Sequence, residues 1–302
     1  MRIIISGSSG LIGSALIISL RADSHQIARL VRSGSPSQPG PASESIRWEP
    51  PSGSIDLAAM EGADAVVHLA GASIAEGRWT PARKQILRRS RVDATRHLVA
   101  GLEKLQRKPR VLVSASAVGF YGSRGDELLT ESSASGNDFL AQICRDWEAE
   151  VAQAEQSGIR TVSLRFGIIL AAKGGALGRL LVPFRLGLGG PLGDGRQWMS
   201  WLTLDEVVSA IRYSIDKDDL QGPVNAVSPN PVTNAHFTSI LAGVLHRPAF
   251  FPAPRPILRL ALGEMADALL FSSQRVLPKK LQSRDYQFRH SDLKEAFQSL
   301  LR

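Results

Sequence analysis

The stretch Met1-Arg2-Ile3-Ile4-Ile5-Ser6-Gly7-Ser8-Ser9-Gly10-Leu11-Ile12-Gly13-Ser14-Ala15 decides the fold. Ile3, Ile4 and Ile5 form a short unbroken β-branched run, the pattern of a parallel strand covered on both faces; Ala15, Leu16, Ile17 and Leu20 continue at helical spacing. Between strand and helix stand Gly7, Gly10 and Gly13. Glycine turns tightly and lets the backbone approach a pyrophosphate, while the free N–H groups and dipole of a helix start favour its negative charge. The stretch therefore reads as a dinucleotide site, with Gly7, Ser9, Gly10, Leu11, Ile12 and Gly13 as cofactor-binding residues. A bare glycine triplet also suits a structural loop, but a strand before it and a helix after it favour the nucleotide reading.

Working outward, His25 to Val31 reads as a second strand ending at Arg32, 19 residues beyond Gly13. An Asp or Glu about 20 residues past the glycines would bond the ribose 2′-hydroxyl of NAD, whereas a guanidinium suits the 2′-phosphate of NADP. Arg32 thus points to NADP(H), the competing reading being a solvated arginine at a strand end. That second reading is the expectation for Arg29, which alternates to the other face. Residues 33 to 55, Ser- and Pro-rich with Trp48-Glu49-Pro50-Pro51, read as a loop carrying a short strand. Asp64 to Ala72 is another buried strand; its small carboxyl end, Leu69, Ala70 and Gly71, should face the cofactor, because open parallel sheets bind ligands there. His68 reads as an ordinary strand residue. Trp79 to Leu105 is helical, with Arg83, Lys84, Arg88, Arg89 and Arg91 forming a mostly solvated face.

The 302 residues, 43% hydrophobic and 21% charged, exclude a disordered or fibrous class and suit a globular α/β protein. One cysteine, Cys144, leaves no intramolecular disulfide and no zinc cluster, so no metal is expected and a reducing, cytoplasmic setting is. The amino-terminal apolar run is too short for a signal peptide, and no run reaches the length of a membrane span. The net charge of +8 suits an anionic ligand, but the basic residues are scattered without a nucleic-acid motif. Neither nucleic acid nor membrane is expected as a partner, and the oligomeric state is not legible.

Arg110 to Val113 is a fourth strand. It leads to Ser114-Ala115-Ser116-Ala117-Val118-Gly119-Phe120-Tyr121-Gly122, followed by a helix from Asp138 through Glu150 and on to Glu155. Here the chain resembles the extended short-chain dehydrogenase/reductases, which include sugar-nucleotide epimerases and dehydratases. The glycine spacing, the Asp64 to Ala70 strand, the serine-rich strand end, Arg165-Phe166-Gly167 and Gly193 to Glu206 carry the likeness. A narrower resemblance, to the atypical members called epimerase family or cell-division-inhibitor-like proteins, rests on three further stretches: Leu181 to Gly190, Asn225 to Asn234, and Arg247-Pro248 with Gly263-Glu264-Met265-Ala266. It implies a Rossmann doubly wound parallel sheet with a smaller C-terminal α/β lobe, NADP(H) as cofactor, and Arg91 and Ser114 beside that cofactor. It also places Arg165 and Trp201 along the substrate cleft, although Trp201 equally suits a packing role.

The departure matters as much. Working members of the wider family carry a tyrosine and, four residues on, a lysine in the helix after the serine strand; here Leu140 and Cys144 occupy those positions. Leucine transfers no proton, and a buried apolar thiol is the commoner state of a lone cysteine. Tyr121, with Ser116 as hydrogen-bond partner, is the remaining candidate acid, against the alternative of a packing aromatic.

The sequence divides at about residue 165 into a cofactor-binding core, 1–165, and substrate-side segments with a C-terminal lobe, 166–302. In the lobe, Asn234 to Leu245, Pro256 to Phe271 and the stretch ending in Leu293, Ala296, Phe297 and Leu300 read as helices. Gln274 to Leu281 is basic, for an anionic substrate or as a surface turn. Two functions stay open: an oxidoreductase or epimerase acting on a small, nucleotide-sugar-like substrate, and a non-catalytic NADPH-dependent regulator.

Overall fold

The computed structural model describes residues 1–32 and 44–301, so the loop expected over 33 to 43 lies outside the described residues. The opening stretch forms β1 (Arg2–Ser6) and α1 (Leu11–Ala22). Then come β2 (Gln26–Val31), β3 (Glu44–Glu49), β4 (Ser54–Ile55), α2 (Leu57–Met60) and β5 (Ala65–His68). The basic helical stretch is two helices, α3 (Pro81–Arg89) and α4 (Val92–Glu103). Thr80 caps α3 by accepting from the Arg83 N–H, and Pro81 sits in its first turn, where a missing N–H costs nothing. β6 (Val111–Ala117), β7 (Leu128–Leu129), α5 (Phe139–Ala152), capped by the Asp138 carboxylate, and β8 (Arg160–Phe166) follow.

Beyond residue 166 lie β9 (Ile168–Leu170), α6 (Gly175–Arg185), β10 (Trp198–Met199), β11 (Trp201–Thr203), α7 (Leu204–Asp216), β12 (Gly222–Ala226) and β13 (Val232–Thr233). The chain closes with α8 (Asn234–Leu245), α9 (Arg255–Leu262), α10 (Glu264–Leu270), β14 (Arg275–Val276), α11 (Lys279–Gln282) and α12 (Leu293–Leu300). The single helix expected over 256–271 is broken at Gly263, whose φ of +65° ends α9 and starts α10.

The main sheet runs β12-β8-β6-β5-β1-β2-β3-β4, parallel throughout except for β4, which pairs antiparallel to β3. The chain winds outward from β1 to β3 and then returns to β5 on the other side of β1, so the topological switch point lies between β1 and β5. Period-two alternation in β1 feeds both faces. Ile3 and Ile5 enter a core with Leu16 and Leu20 of α1 and Val207 and Ile211 of α7; Ile4 enters the opposite core with Leu98 and Val99 of α4 and Trp147 of α5. Residue 165 is not a clean boundary, because β12 pairs with β8 and α7 covers the sheet beside α1. Without β12, the backbone of β8 would be an unpaired edge.

A third core, built on Leu177, Leu181, Phe184, Trp201, Phe237 and Phe297, belongs to the smaller lobe. Its strands form two-stranded sheets: β9 with β11, and β10 with β13; a further pair joins β7 to β14.

Candidate cofactor site

The glycine turn is shaped by what a side chain would strike. Gly7 has a φ of +67°, in the left-handed region, and a Cβ there would lie 2.7 Å from the Leu69 carbonyl and 2.8 Å from the Ala70 nitrogen. A Cβ on Gly13 would overlap the Gly7 carbonyl oxygen and stand 2.7 Å from Ser8 Cα. Gly10 is the N-cap of α1 and offers no side-chain cap, so the first-turn N–H groups stay available to an anion. These residues fit a dinucleotide pyrophosphate: the cradle is closed to side chains and its helix start is bare.

A buried polar chain holds β1 and β5 in register beneath it. Ser6 Oγ accepts from the N–H groups of Leu69 at 3.1 Å and Ala70 at 3.2 Å, and lies 2.7 Å from His68 Nδ1. With two donors already aimed at it, the hydroxyl gives its own proton to Nδ1; Nε2 therefore carries the ring proton and donates to Thr95 Oγ1 at 2.9 Å. Burial drives the His68 pKa down to about 4, so the imidazole is neutral. His68 is thus the brace that aims Leu69 and Ala70 at Gly7.

The groove at the carboxyl ends of β1, β2 and β5 has a volume of about 1310 Å³, and Gly7, Ser9, Gly10, Leu69, Ala70 and Gly71 line it. Arg32 lines its far end, exposed, together with Arg29 and Arg89, and none of the three makes an ion pair among the described residues. Arg29 corrects the expectation of a solvated surface residue: it is half-buried on the groove wall, and its Nε has no hydrogen-bond partner among the described residues. Trp48, Pro50, Pro51 and His97 extend the wall beyond β3. They were missed from the sequence, although the rule that ligands gather at strand carboxyl ends applies to β3 as well.

The side chains of the other expected cofactor residues are engaged elsewhere. Leu11 packs toward Gly174 and Gly175, while Ile12 packs against the core on the α1 side of the sheet. Arg91 is turned under the groove floor, donating to the Ala72 carbonyl at 3.0 Å and the Leu87 carbonyl at 3.3 Å, with its guanidinium over the Trp147 ring. It shapes the groove through the 71–72 turn. The Ser114 hydroxyl is buried and donates to the Ala115 carbonyl at 3.1 Å, away from the groove lining.

The expected catalytic and substrate residues form a closed network. Ser116 Oγ donates to Glu148 Oε1 at 2.6 Å, and Glu148 takes a two-point ion pair from Arg165, at 2.8 Å from Nε and 2.7 Å from Nη2. Arg165 Nη1 donates to the Tyr121 hydroxyl at 2.9 Å, which itself donates to Asn225 Oδ1 at 2.7 Å. Tyr121 is wholly buried, and desolvation raises its pKa. This corrects Tyr121 and Ser116 as an acid pair, since each hydroxyl proton is held by an internal acceptor. It likewise corrects Arg165 as a substrate residue, because its side chain is 3% exposed and its guanidinium is committed to Glu148 and Tyr121. Trp201 is corrected too: it is fully buried in the lobe core, with Nε1 donating to the Asn230 carbonyl at 3.0 Å. Leu140 and Cys144 pack by Gly119, and burial pushes the thiol up to about 12.

A doubly wound sheet with a glycine-cradled groove at its switch point defines a dinucleotide-cofactor protein. The model of the NAD dependent epimerase/dehydratase family matches residues 3–227, and a domain of unknown function, DUF1731, matches 253–300. The chain belongs to the NAD dependent epimerase/dehydratase family, among its atypical short-chain dehydrogenase-like members. The epimerase family protein MT2273 of Mycobacterium tuberculosis is 44% identical over 293 residues, spanning 97% of this chain and 95% of the relative. The Bacillus subtilis epimerase family protein YfhF is 37% identical over 302 residues, spanning 100% and 98%. Among solved structures, human epimerase family protein SDR39U1 with NADPH superposes with a TM-score of 0.87 at 29% identity, covering 99% of both chains. A nucleoside-diphosphate sugar epimerase from Corynebacterium glutamicum superposes with a TM-score of 0.80 at 35% identity, over 100% of this chain and 58% of that one.

Proposed function

We propose that this chain is an NADP(H)-binding protein that retains its family's cofactor groove and has given up the Tyr–Lys proton machinery. One observation carries the reading: Arg32, with Arg29 and Arg89 on the same wall, occupies the end of β2 where an NAD binder places a carboxylate. The human relative crystallised with NADPH supports the same choice. When bound, the cofactor supplies a hydride. This chain's residues bind and orient it: the cradle admits the pyrophosphate, the start of α1 offers N–H donors, and the arginines meet the 2′-phosphate.

Proton transfer is what the site lacks. Leu140 has no proton to give, the Cys144 thiol stays protonated, and the hydroxyls of Ser116 and Tyr121 are committed internally. This favours an NADPH-dependent binding or regulatory protein in a reducing, cytoplasmic setting. The second reading, an oxidoreductase or epimerase acting on a small, nucleotide-sugar-like substrate, draws its support from the family and from the lobe beside the groove; it requires a proton from some other source.

The test is Arg32→Asp, which should reverse the cofactor order so that NADH binds more tightly than NADPH. A charge-assisted contact of about 1.5–3 kcal/mol corresponds to a tenfold to hundredfold loss of NADPH affinity. Arg29→Ser and Arg89→Ser should weaken NADPH and leave NADH unchanged. An Arg32→Asp protein that still prefers NADPH would refute the reading.

A further inference from the structure

Exposed large apolar side chains are not spread evenly over this molecule. Of those on the described surface, Val182, Leu186, Leu188, Phe250, Phe251, Ile257 and Leu260 all fall in the smaller lobe, and the two most exposed are Phe250 at 82% and Leu260 at 80%. Backbone contacts gather them. The Phe251 N–H donates to the Gly189 carbonyl at 3.2 Å, Gly190 lies directly against the Phe251 carbonyl, and Gly187 abuts the Pro248 ring. The end of α6 therefore sits beside the 248–251 loop, joining Val182, Leu186 and Leu188 to the two phenylalanines. The Ala253 N–H donates to the Pro191 carbonyl at 2.9 Å, and α9 begins two residues later. α9 puts Ile257 and Leu260 on one side and Arg255 and Arg259 in the same eight residues, yet it buries no residue. Leu262 at the helix end packs on the cluster of Trp79, Leu87 and Met265, but Ile257 and Leu260 stay exposed, so with the neighbouring apolar loops α9 leaves an uncovered apolar surface.

This surface also carries cations without an ion-pair partner among the described residues. Arg185 and Arg247 make no ion pair among the described residues: the Arg247 guanidinium donates to the carbonyls of Arg185 and His246, and Arg185 is exposed on α6. Of the nearby acids, Asp267 is paired with Arg255 and Arg259 and Glu264 with Lys84, while the exposed Asp194 accepts from the Arg196 N–H. A layer that is apolar below and anionic above meets both features at once.

We propose that this face seats the protein on the surface of an anionic phospholipid bilayer. Phe250, Phe251, Leu186 and Leu188 enter the boundary between headgroups and acyl chains, and Arg185 and Arg247 meet lipid phosphates. No helix among the described residues is long and apolar enough to cross a membrane, so the contact is a peripheral one. It is independent of the cofactor reading, whose groove runs along β1, β2 and β5 and is lined by none of Arg185, Leu186, Leu188, Arg247, Phe250 and Phe251.

The experiment is co-sedimentation of the full chain with phosphatidylcholine vesicles and with vesicles also containing phosphatidylglycerol, at low and high salt. The unmutated protein should pellet with the anionic vesicles only, and salt should release it. Phe250→Asp combined with Phe251→Asp should reduce the bound fraction at least tenfold, and Arg185→Gln with Arg247→Gln should reduce it severalfold. NADPH binding should be unchanged in each, which shows that the variants fold. Three results would overturn the proposal: no pelleting with either vesicle; equal pelleting with both at all salt concentrations; or self-association in sedimentation velocity, abolished by the phenylalanine variants, in a protein that ignores vesicles.

Discussion

His68 and Tyr121 show how far a side chain's role depends on what it is bonded to. His68 is held neutral by burial, its pKa depressed to about 4 from an ordinary 6.5. The unfolded chain therefore takes up a proton that the folded chain refuses, and stability present above about pH 6.5 is lost as pH falls toward 4, by about 3 kcal/mol in all. Urea unfolding across this range should show the decline, and His68→Asn should flatten it; an unchanged slope in the variant would assign the decline to other groups. Tyr121→Phe strands Asn225 Oδ1 and one Arg165 donor in the interior, at a cost of about 1–3 kcal/mol. The urea midpoint should drop while NADPH affinity holds. An unmoved midpoint would mean that the hydroxyl contributes nothing to the core. The buried Cys144 thiol should resist iodoacetamide at pH 8 in the folded protein and react only on denaturation.

At the scale of elements, β1 and α1 rest on a contact that leaves no room for a side chain. Gly13→Ala would press a methyl onto the Gly7 carbonyl, which is backbone and cannot swing away. The strain should cost about 1–3 kcal/mol and weaken NADPH more than tenfold; calorimetry showing an intact site would contradict the cradle geometry. This element was legible because its signals are local: a β-branched run, three glycines and an apolar helix within twenty residues. Arg29 was misread because the groove takes its lining from both faces of β2, Arg29, Leu30, Val31 and Arg32 alike, so alternation does not separate a groove residue from a solvated one. Trp201 and Tyr121 were misread for a different reason. Trp201 lies in the stretch that resembles the family's substrate approach and Tyr121 in the serine-rich strand end, but the burial of each is set by distant partners, such as Asn225, 104 residues from Tyr121, and no local pattern announces them.

Across the whole molecule, the carboxy-terminal segment is tied to the sheet by one buried acid. Glu206 on α7 accepts from the Tyr286 hydroxyl at 2.5 Å and the N–H groups of Arg289 at 2.8 Å and His290 at 3.3 Å. Its stretch of sequence resembles the family's substrate approach, yet the side chain is a clasp. Glu206→Leu leaves these donors unpaired and should cost about 3–5 kcal/mol in denaturant unfolding; a cost near zero would show that the segment docks by apolar contacts alone.

The central claim is that this groove is built for a 2′-phosphorylated dinucleotide, and the most direct measurement is calorimetric titration of the unmutated protein with NADPH and with NADH in the same buffer. NADPH should bind tighter by tenfold to a hundredfold, and the gap should narrow as salt screens the exposed Arg32. Equal affinities for the two cofactors would contradict the account.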